Sequence, residues 1–364
     1  MRAIVVALAL VSACKIADTH FIGPGVGDDA GGDGVHLDGS IDGTVTAAHH
    51  AYLIDTTAGI FVLDKNDAGE LSFTSTTYPG SFYSSAVSAL GHLYVSMPSS
   101  PGLVRDFKIQ PDGSLVMMGQ IGTNCSPQDL ALSADGSLLA FGCQAPMVGV
   151  IHLDQMGALA VVNYGNNGNG ISYRAVAFSP DGHCLFASDD SAPAGAPSLY
   201  GFTVTASGTL SSGGQISAPQ PTRALVADAT HLYVAGPSNF EPFTYNGNCG
   251  LSGMIPLPTS GGNEHALMDP AGKFVYAVGN AVTVLSLAGG NISLVNGSPF
   301  LPAGGTGLIT GVTKDPALPG RLYLVDRTYG VQVAYVDPQQ GFVTAGPIVS
   351  QANVANARWL QLGP

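Results

Sequence analysis

The chain has 364 residues, of which 49 are Gly and 24 are Pro, and only 10% carry a charge. This composition is typical of an all-β fold with many tight turns, because Gly and Pro favour turns and weaken helices. The formal net charge of −13 argues against nucleic acids and anionic membrane surfaces as partners, since those are bound mainly through Arg and Lys.

The first 14 residues have the features of a bacterial secretion signal. Arg2 precedes an apolar run over residues 3–11, which is too short to span a bilayer. The sequence VSAC at residues 11–14 resembles the lipobox of bacterial lipoproteins. The resemblance implies that Cys14 becomes the first residue of the mature protein and carries a lipid. The alternative is an ordinary signal peptide in which Cys14 has no special role.

Residues 15–43 follow as a separate segment, and from residue 23 onward it is rich in Gly and Asp with almost nothing to bury. Such a segment cannot offset its own ordering entropy, so we predict a flexible tether. Lys15, in place of an Asp after Cys14, resembles the sorting pattern for the outer membrane. We therefore expect a lipid-anchored, extracytoplasmic protein of the cell envelope, on the outer membrane and facing the periplasm or the surface. It would meet the membrane through its N-terminal lipid only.

Residues 44–364 repeat one unit of four short strands. In residues 172–214 the first two strands flank the turn Pro180-Asp181-Gly182, and Ser207-Gly208 separates the third from the fourth. Equivalent positions of the second strands recur 42 to 47 residues apart, at Tyr52, Tyr94, Ala140, Phe186, Tyr233, Tyr276 and Tyr323. A period of that length with four short strands is typical of β-propellers. The sequence therefore predicts an all-β, seven-bladed β-propeller of four-stranded antiparallel blades.

The two ends of the repeat array predict how the ring closes. Only the short stretch of residues 44–47 precedes the second strand that begins at His49, whereas residues 356–362 form a first strand that no further repeat follows. We expect this C-terminal strand to complete the blade that begins at His49, because closure removes exposed sheet edges. The alternatives are an incomplete closure and a different strand swap.

Four cysteines remain after Cys14, and export makes disulfides chemically permissible. Cys125 precedes the first strand of its repeat and Cys143 ends the second, so both lie at the same end of one hairpin. Cys184 begins a second strand, and Cys249 lies in a turn of the next repeat on the same face. The topology favours Cys125–Cys143 and Cys184–Cys249 over the other pairings. It also favours them over a metal site, for which no CxxC pair exists.

The segments SPDGHCLFASDD and DPAGKFVYAVGN resemble the seven-bladed lactonase-like propellers. That family includes 6-phosphogluconolactonases and cycloisomerases and borders the YVTN-type surface repeats. The resemblance implies a ligand site at the mouth of the central channel, lined by Arg with His or Glu. Arg174 and Arg223 match the family's arginine by position, but Ala175 and Ala224 stand where a His would follow.

Charged residues cluster at one point of the repeat, the start of the first strand. Arg174, Arg223 and Arg358 all begin a first strand. At the same point of other repeats stand Glu264 with His265, and Asp129 close by. Guanidinium groups that converge on one mouth would bind a carboxylate or phosphate, so we predict that these arginines and Asp129 bind a ligand. The alternative is that the arginines pair with neighbouring carboxylates and only hold the blades together.

Glu264 and His265 are the candidates for catalysis, since a carboxylate or an imidazole beside arginines can act as a general base. No other catalytic signature, cofactor motif or metal motif is present in the sequence.

Our leading hypothesis is a monomeric binding scaffold for a small anion at the mouth, or for an envelope protein or glycan, without enzymatic activity. The alternatives are a lactone hydrolase with a divergent active site and a purely structural envelope protein.

Overall fold

The computed structural model describes residues 49–363 except residues 100, 146, 166–171, 194, 219–221, 260–261, 289–290, 302–306, 328–329, 352–353 and 355. The predicted signal peptide with Cys14 and the predicted tether lie outside the described residues. Within the described part, no helix is long and apolar enough to cross a membrane.

The described residues form seven antiparallel sheets, which are the blades of a propeller. Blade 1 contains β29 (Ala357–Leu362), β1 (His50–Asp55), β2 (Gly59–Lys65) and β3 (Leu71–Tyr78). Blade 2 contains β4 (Ser85–Val87), β5 (His92–Met97), β6 (Gly102–Ile109) and β7 (Leu115–Thr123); blade 3 contains β8 (Pro127–Leu132), β9 (Leu138–Cys143), β10 (Val148–Leu153) and β11 (Leu159–Gly165). Blade 4 contains β12 (Tyr173–Phe178), β13 (Cys184–Asp189), β14 (Leu199–Val204) and β15 (Leu210–Ile216).

Blade 5 contains β16 (Ala224–Ala227), β17 (His231–Ala235), β18 (Asn239–Tyr245) and β19 (Leu251–Gly253), and the short β20 (Leu257–Pro258) also pairs with β18. Blade 6 contains β21 (His265–Met268), β22 (Phe274–Val278), β23 (Val282–Ala288) and β24 (Asn291–Leu294). Blade 7 contains β25 (Ile309–Lys314), β26 (Arg321–Asp326), β27 (Gly330–Val336) and β28 (Val343–Val349). The prediction of a seven-bladed propeller is confirmed, and β20 is the one addition to its four-stranded pattern in the described residues.

The first strand of each blade, which we call the inner strand, lies against the inner strands of the two neighbouring blades. Around the ring these strands are β29, β4, β8, β12, β16, β21 and β25. Because each second strand runs antiparallel to its inner strand, all inner strands begin where the second strands end. We call that end of the ring the mouth end and the opposite end the turn end.

Burial decreases outward along each blade. In blade 4 the second strand, β13, is buried at every position, whereas the outermost strand, β15, is partly or fully exposed at every position. The anchor position of the second strands is buried in every blade and is aromatic in all but blade 3, where it is Ala140. In blades 1, 2 and 7 its tyrosine hydroxyl reaches the next blade. Tyr52, Tyr94 and Tyr323 donate hydrogen bonds to the carbonyls of Gly113, Gly157 and Gly69, each in the outer turn of the following blade. These bonds tie neighbouring blades together at the turn end.

The C-terminal strand closes the ring, as predicted. β29 pairs antiparallel with β1, with Leu360 opposite Leu53. It also reaches blade 2 through its side chains, because Trp359 Nε1 donates to the carbonyl of Tyr83 at 2.8 Å and Gln361 Nε2 to that of Ser85 at 3.0 Å. One strand therefore completes blade 1 and fastens it to blade 2.

The structure contains both disulfides that the topology favoured. Cys125–Cys143 lies within blade 3 at the mouth end. Cys184–Cys249 joins blades 4 and 5 at the turn end. Blade 4 has Phe186 at the anchor position of its second strand and so lacks the hydroxyl that blades 1, 2 and 7 use, but the second disulfide connects it covalently to blade 5.

Candidate functional site at the propeller mouth

A pocket of about 290 Å³ opens at the mouth end of the channel. All the ligand-binding and catalytic candidates of the sequence analysis line it, namely Asp129, Arg174, Arg223, Glu264, His265 and Arg358. They meet because each lies at or next to the start of an inner strand, and these starts converge around the channel. The wall also contains Tyr83, Gln128, Thr310, Arg327 and Trp359.

Glu264 lies between two of the arginines. Its carboxylate contacts the guanidinium of Arg223 directly and that of Arg174 at 3.6 Å. Arg174 also pairs with Asp190 through Nη1 and Oδ2 at 2.8 Å. Burial lowers the pKa of Arg223, and the nearby positive charges of Arg174 and Arg358 act in the same direction. These two arginines therefore line the pocket and also form interblade ion pairs with Glu264, which is the pairing with neighbouring carboxylates that the alternative expected.

The other two arginines have no carboxylate partner among the described residues. The guanidinium of Arg358 lies over the ring of Tyr83, with 4.4 Å between Cζ and the ring centroid. Arg327 donates through Nη2 to the amide oxygen of Asn356 at 3.2 Å. Both side chains are partly buried and line the pocket.

Asp129 uses its carboxylate to join three blades. It accepts hydrogen bonds from the backbone N–H of Val176 at 3.1 Å, the backbone N–H of Leu130 at 2.9 Å and the hydroxyl of Ser84 at 3.0 Å. Burial raises the pKa of Asp129 to about 6, while these hydrogen bonds oppose the increase. Its carboxylate is thus engaged by the fold at the pocket wall, which leaves it little capacity to contact a ligand.

His265 packs edge-on against Trp359, with ring centroids 4.4 Å apart and an interplanar angle of 89°. Its Nδ1 is buried without a hydrogen-bond partner in the described part of the chain. Burial lowers the pKa of His265 to about 4, so the imidazole is neutral at pH 7. A neutral imidazole can exchange hydrogen bonds with a ligand, but its low pKa makes it a weak general base.

Two charged residues near the mouth were not among the sequence candidates. Asp190 directly follows β13 and Arg327 directly follows β26. The sequence candidates all lie at or near the starts of inner strands. Because second strands end at the same place, a search of the residues that follow them would have found both.

The arrangement favours recognition of an anion by guanidinium groups. No group of three or more His, Cys, Asp or Glu side chains that could hold a metal ion occurs among the residues that the structure describes. Four guanidiniums around one small pocket can donate many directed hydrogen bonds to carboxylate or phosphate oxygens.

No protein-family model matches this chain, and no curated protein matches it by sequence. Solved structures do match. The periplasmic gluconolactonase of Pseudomonas aeruginosa aligns with 86% of this chain and 99% of its own, at 19% identity and a TM-score of 0.71. A Bacteroides uniformis protein, named provisionally as a 6-phosphogluconolactonase, aligns with 86% of this chain and 99% of its own, at 17% identity and a TM-score of 0.68.

The same fold also occurs in the hydrazine synthase of Kuenenia stuttgartiensis, at 15% identity and a TM-score of 0.56, with coverage of 87% of this chain and 99% of that one. Identities this low show a common fold and leave the reaction open. The chain therefore has the seven-bladed propeller fold that the gluconolactonase structure also has.

Proposed function

We propose that the mouth pocket binds a small polyhydroxylated anion, such as a sugar acid or a phosphorylated sugar lactone. The observation that carries the proposal is the convergence of four of the chain's seven arginines, Arg174, Arg223, Arg327 and Arg358, on one pocket. In a chain with a net charge of −13, such a local concentration of guanidiniums is costly unless carboxylates or a ligand compensate it.

The dimensions and the wall of the pocket support a ligand of this class. A volume of about 290 Å³ lies near the lower limit of small-molecule sites, which suits a six-carbon acid better than a polymer. Gln128 and Thr310 offer polar groups for hydroxyls, and Tyr83 and Trp359 offer apolar surface.

Hydrolysis of a sugar lactone is the second candidate, and the fold shared with the Pseudomonas aeruginosa gluconolactonase favours it. An arginine would stabilise the oxyanion that develops when water attacks the carbonyl, and Glu264 or His265 would accept the proton of that water. Both bases are weak in this setting, because two guanidiniums contact Glu264 and the pKa of His265 is about 4. The geometry therefore supports binding more strongly than catalysis.

Calorimetric titration of the protein with D-gluconate tests the proposal. We expect measurable binding by the wild type and its loss in Arg223→Ala, which removes one guanidinium and frees the negative charge of Glu264. Arg105→Ala is the matched control, because Arg105 lies on β6 and contacts exposed Gln120. If the wild type binds none of the three ligands gluconate, 6-phosphogluconate and inorganic phosphate, the proposal is contradicted.

The same variants distinguish binding from hydrolysis. Turnover of a panel of sugar lactones, followed by acid release, supports the second candidate if it is present in the wild type and Arg105→Ala and lost in Arg223→Ala. Equal turnover in all three proteins would remove this pocket as the catalytic site.

We also infer that the propeller acts outside the cytoplasm. The two disulfides support this location, because disulfides persist in oxidising compartments. The lipobox-like segment at Cys14 supports anchoring to a membrane through a lipid. Replacing Cys14 by Ser is expected to move the protein from the membrane fraction to the soluble fraction of a bacterial host, and an unchanged distribution would contradict lipid anchoring.

A further inference from the structure

The positive charges in the pocket are compensated unevenly around the ring. Arg174 and Arg223, on blades 4 and 5, share the carboxylates of Glu264 and Asp190. We call these four residues the paired half, in which two positive charges face two negative ones. Arg327 and Arg358, on blades 7 and 1, form the open half, where the described residues provide no carboxylate within ion-pair distance.

The contacts of the open half hold its guanidiniums in place without neutralising them. Tyr83 supports one planar face of Arg358, and a cation over an aromatic ring keeps the N–H groups at its edge available for other acceptors. Asn356 holds Arg327 through a neutral amide oxygen at 3.2 Å. Both guanidiniums therefore keep N–H groups that can donate to a ligand, and both line the pocket.

Building on the proposed function, we propose that Arg327 and Arg358 bind the carboxylate or phosphate of the ligand, and that its uncharged, hydroxyl-bearing part lies toward Glu264 and His265. An anionic group placed at the paired half would approach the carboxylate of Glu264, and like charges in a partly desolvated pocket repel each other strongly. At the open half the same group would meet two uncompensated guanidiniums.

This polarity defines the class of ligand. The fitting molecule carries one anionic group at one end and hydroxyls at the other, because Glu264 can accept hydrogen bonds from hydroxyl groups and Arg174 and Arg223 can donate to their oxygens. A sugar acid with a second carboxylate at the far end would place that group against Glu264. D-Gluconate is therefore expected to bind more tightly than D-glucarate, by about tenfold for one repulsive contact of this kind.

Calorimetric titration of the full-length protein with D-gluconate and D-glucarate tests the inference. We expect Arg327→Gln and Arg358→Gln each to weaken gluconate binding by about tenfold or more, and Arg358→Lys, which keeps the charge, to recover part of that loss. The double variant Arg174→Gln/Asp190→Asn removes one charge of each sign from the paired half. It should weaken gluconate less, by about threefold. Arg105→Gln is the control with wild-type binding, and the thermal midpoint of each ligand-free variant reports its folding.

The outcomes separate this inference from the proposed function. Wild-type affinity in folded Arg327→Gln and Arg358→Gln, together with a large loss in the double variant, would overturn the inference while leaving the pocket as an anion site. Tighter binding of glucarate than gluconate would overturn it as well. If the wild type binds neither acid nor inorganic phosphate, the proposed function fails and the inference fails with it.

Discussion

The two ends of the inner strands use polar residues in different ways. At the turn end of several blades, the residue after the inner strand serves its own turn: Ser133 and Ser179 donate their hydroxyl hydrogens to Asp135 and Asp181 in the turns that follow. Asp228 likewise accepts hydrogen bonds from the backbone of its own turn. These contacts span only a few residues and recur from blade to blade.

At the mouth end, polar side chains reach across the ring instead. Glu264 on blade 6 contacts Arg223 on blade 5 and Arg174 on blade 4, and Asp129 on blade 3 holds the backbone of blade 4. Residues that recur in the repeat therefore build the turns. Charged residues that occur in only some of the repeats meet at the channel. In a repeat protein, such departures from the repeat are the positions at which a site can be sought.

The largest expected effect concerns an exception at the turn end, where Asp269 and Asp315, each directly after an inner strand, form ion pairs with Lys314 and Lys65 of the next blade. Lys65 of blade 1 contacts Asp315 of blade 7 at 2.8 Å, and the two side chains are 1% and 0% exposed. Lys65→Met leaves a buried carboxylate without its cation, so we expect the free energy of unfolding to fall by about 3–5 kcal/mol. Urea unfolding followed by Trp359, the single tryptophan, measures it.

A second variant identifies the cause of that loss. Lys65→Met/Asp315→Asn removes both charges and keeps an amide oxygen for the backbone N–H of Ala317, while its NH2 group can donate to the Tyr323 hydroxyl, which then donates to the carbonyl of Gly69. It should recover most of the lost stability. An equal loss of stability in both variants would show that the packing of the lysine side chain, and not its charge, stabilises the contact between blades 1 and 7.

The two disulfides allow the turn end and the mouth end to be compared directly, because one lies at each end. Cys184–Cys249 at the turn end closes a loop of 65 residues between two blades, and Cys125–Cys143 at the mouth end closes 18 residues within one. On loop entropy alone, replacing both cysteines by Ala should cost about 4 kcal/mol for the first pair and about 3 kcal/mol for the second. Thermal unfolding measures both variants, and a larger loss at the mouth would reverse the expected order.

The smallest expected effect concerns pH at the mouth. Burial lowers the pKa of His265 to about 4 from 6.5, so the unfolded chain binds a proton more readily and stability is lost as pH falls from 6.5 to 4. His265→Gln removes this contribution, which amounts to at most about 3 kcal/mol. The stability of the wild type relative to the variant should therefore increase from pH 4 to pH 7. A difference that does not change with pH would contradict the burial of this imidazole.

Asp129 provides the opposite sign within the same pocket. Its pKa is raised to about 6 from 3.8, so its contribution to stability is greatest at low pH and is lost as pH rises through 6. Between pH 4 and pH 6 the contributions of His265 and Asp129 to stability oppose each other. In His265→Gln the contribution of Asp129 is no longer opposed, so the free energy of unfolding of this variant should fall as the pH rises from 4 to 6.

Much of the ring could be predicted because its determinants are local and repeated. Turn residues such as Asp181 and Gly182, and the regular recurrence of a buried aromatic residue such as Tyr52, are readable in the sequence. They define the blades, their number and the pairing of the cysteines. The unpaired strand at residues 356–362 indicated the closure, because the first blade would otherwise lack an inner strand.

The candidate site could be predicted only in part. The sequence placed five charged residues and a histidine at one end of the ring, since the repeat fixes where each inner strand starts. It could not show that Asp129 turns toward the backbone of Val176, or that Glu264 contacts both Arg174 and Arg223. Those facts depend on contacts between residues far apart in the chain, which a single repeat does not encode.

The pairing of β29 with β1 brings both ends of the ring-forming chain to one side. The backbone N–H of Gly363 donates to the carbonyl of His50 at 2.9 Å, and both residues lie at the turn end, opposite the pocket. A purification tag, a fluorophore or a solid support joined after Gly363 would therefore leave the pocket at the mouth end unobstructed. Immobilised protein should accept small acids as readily as protein free in solution.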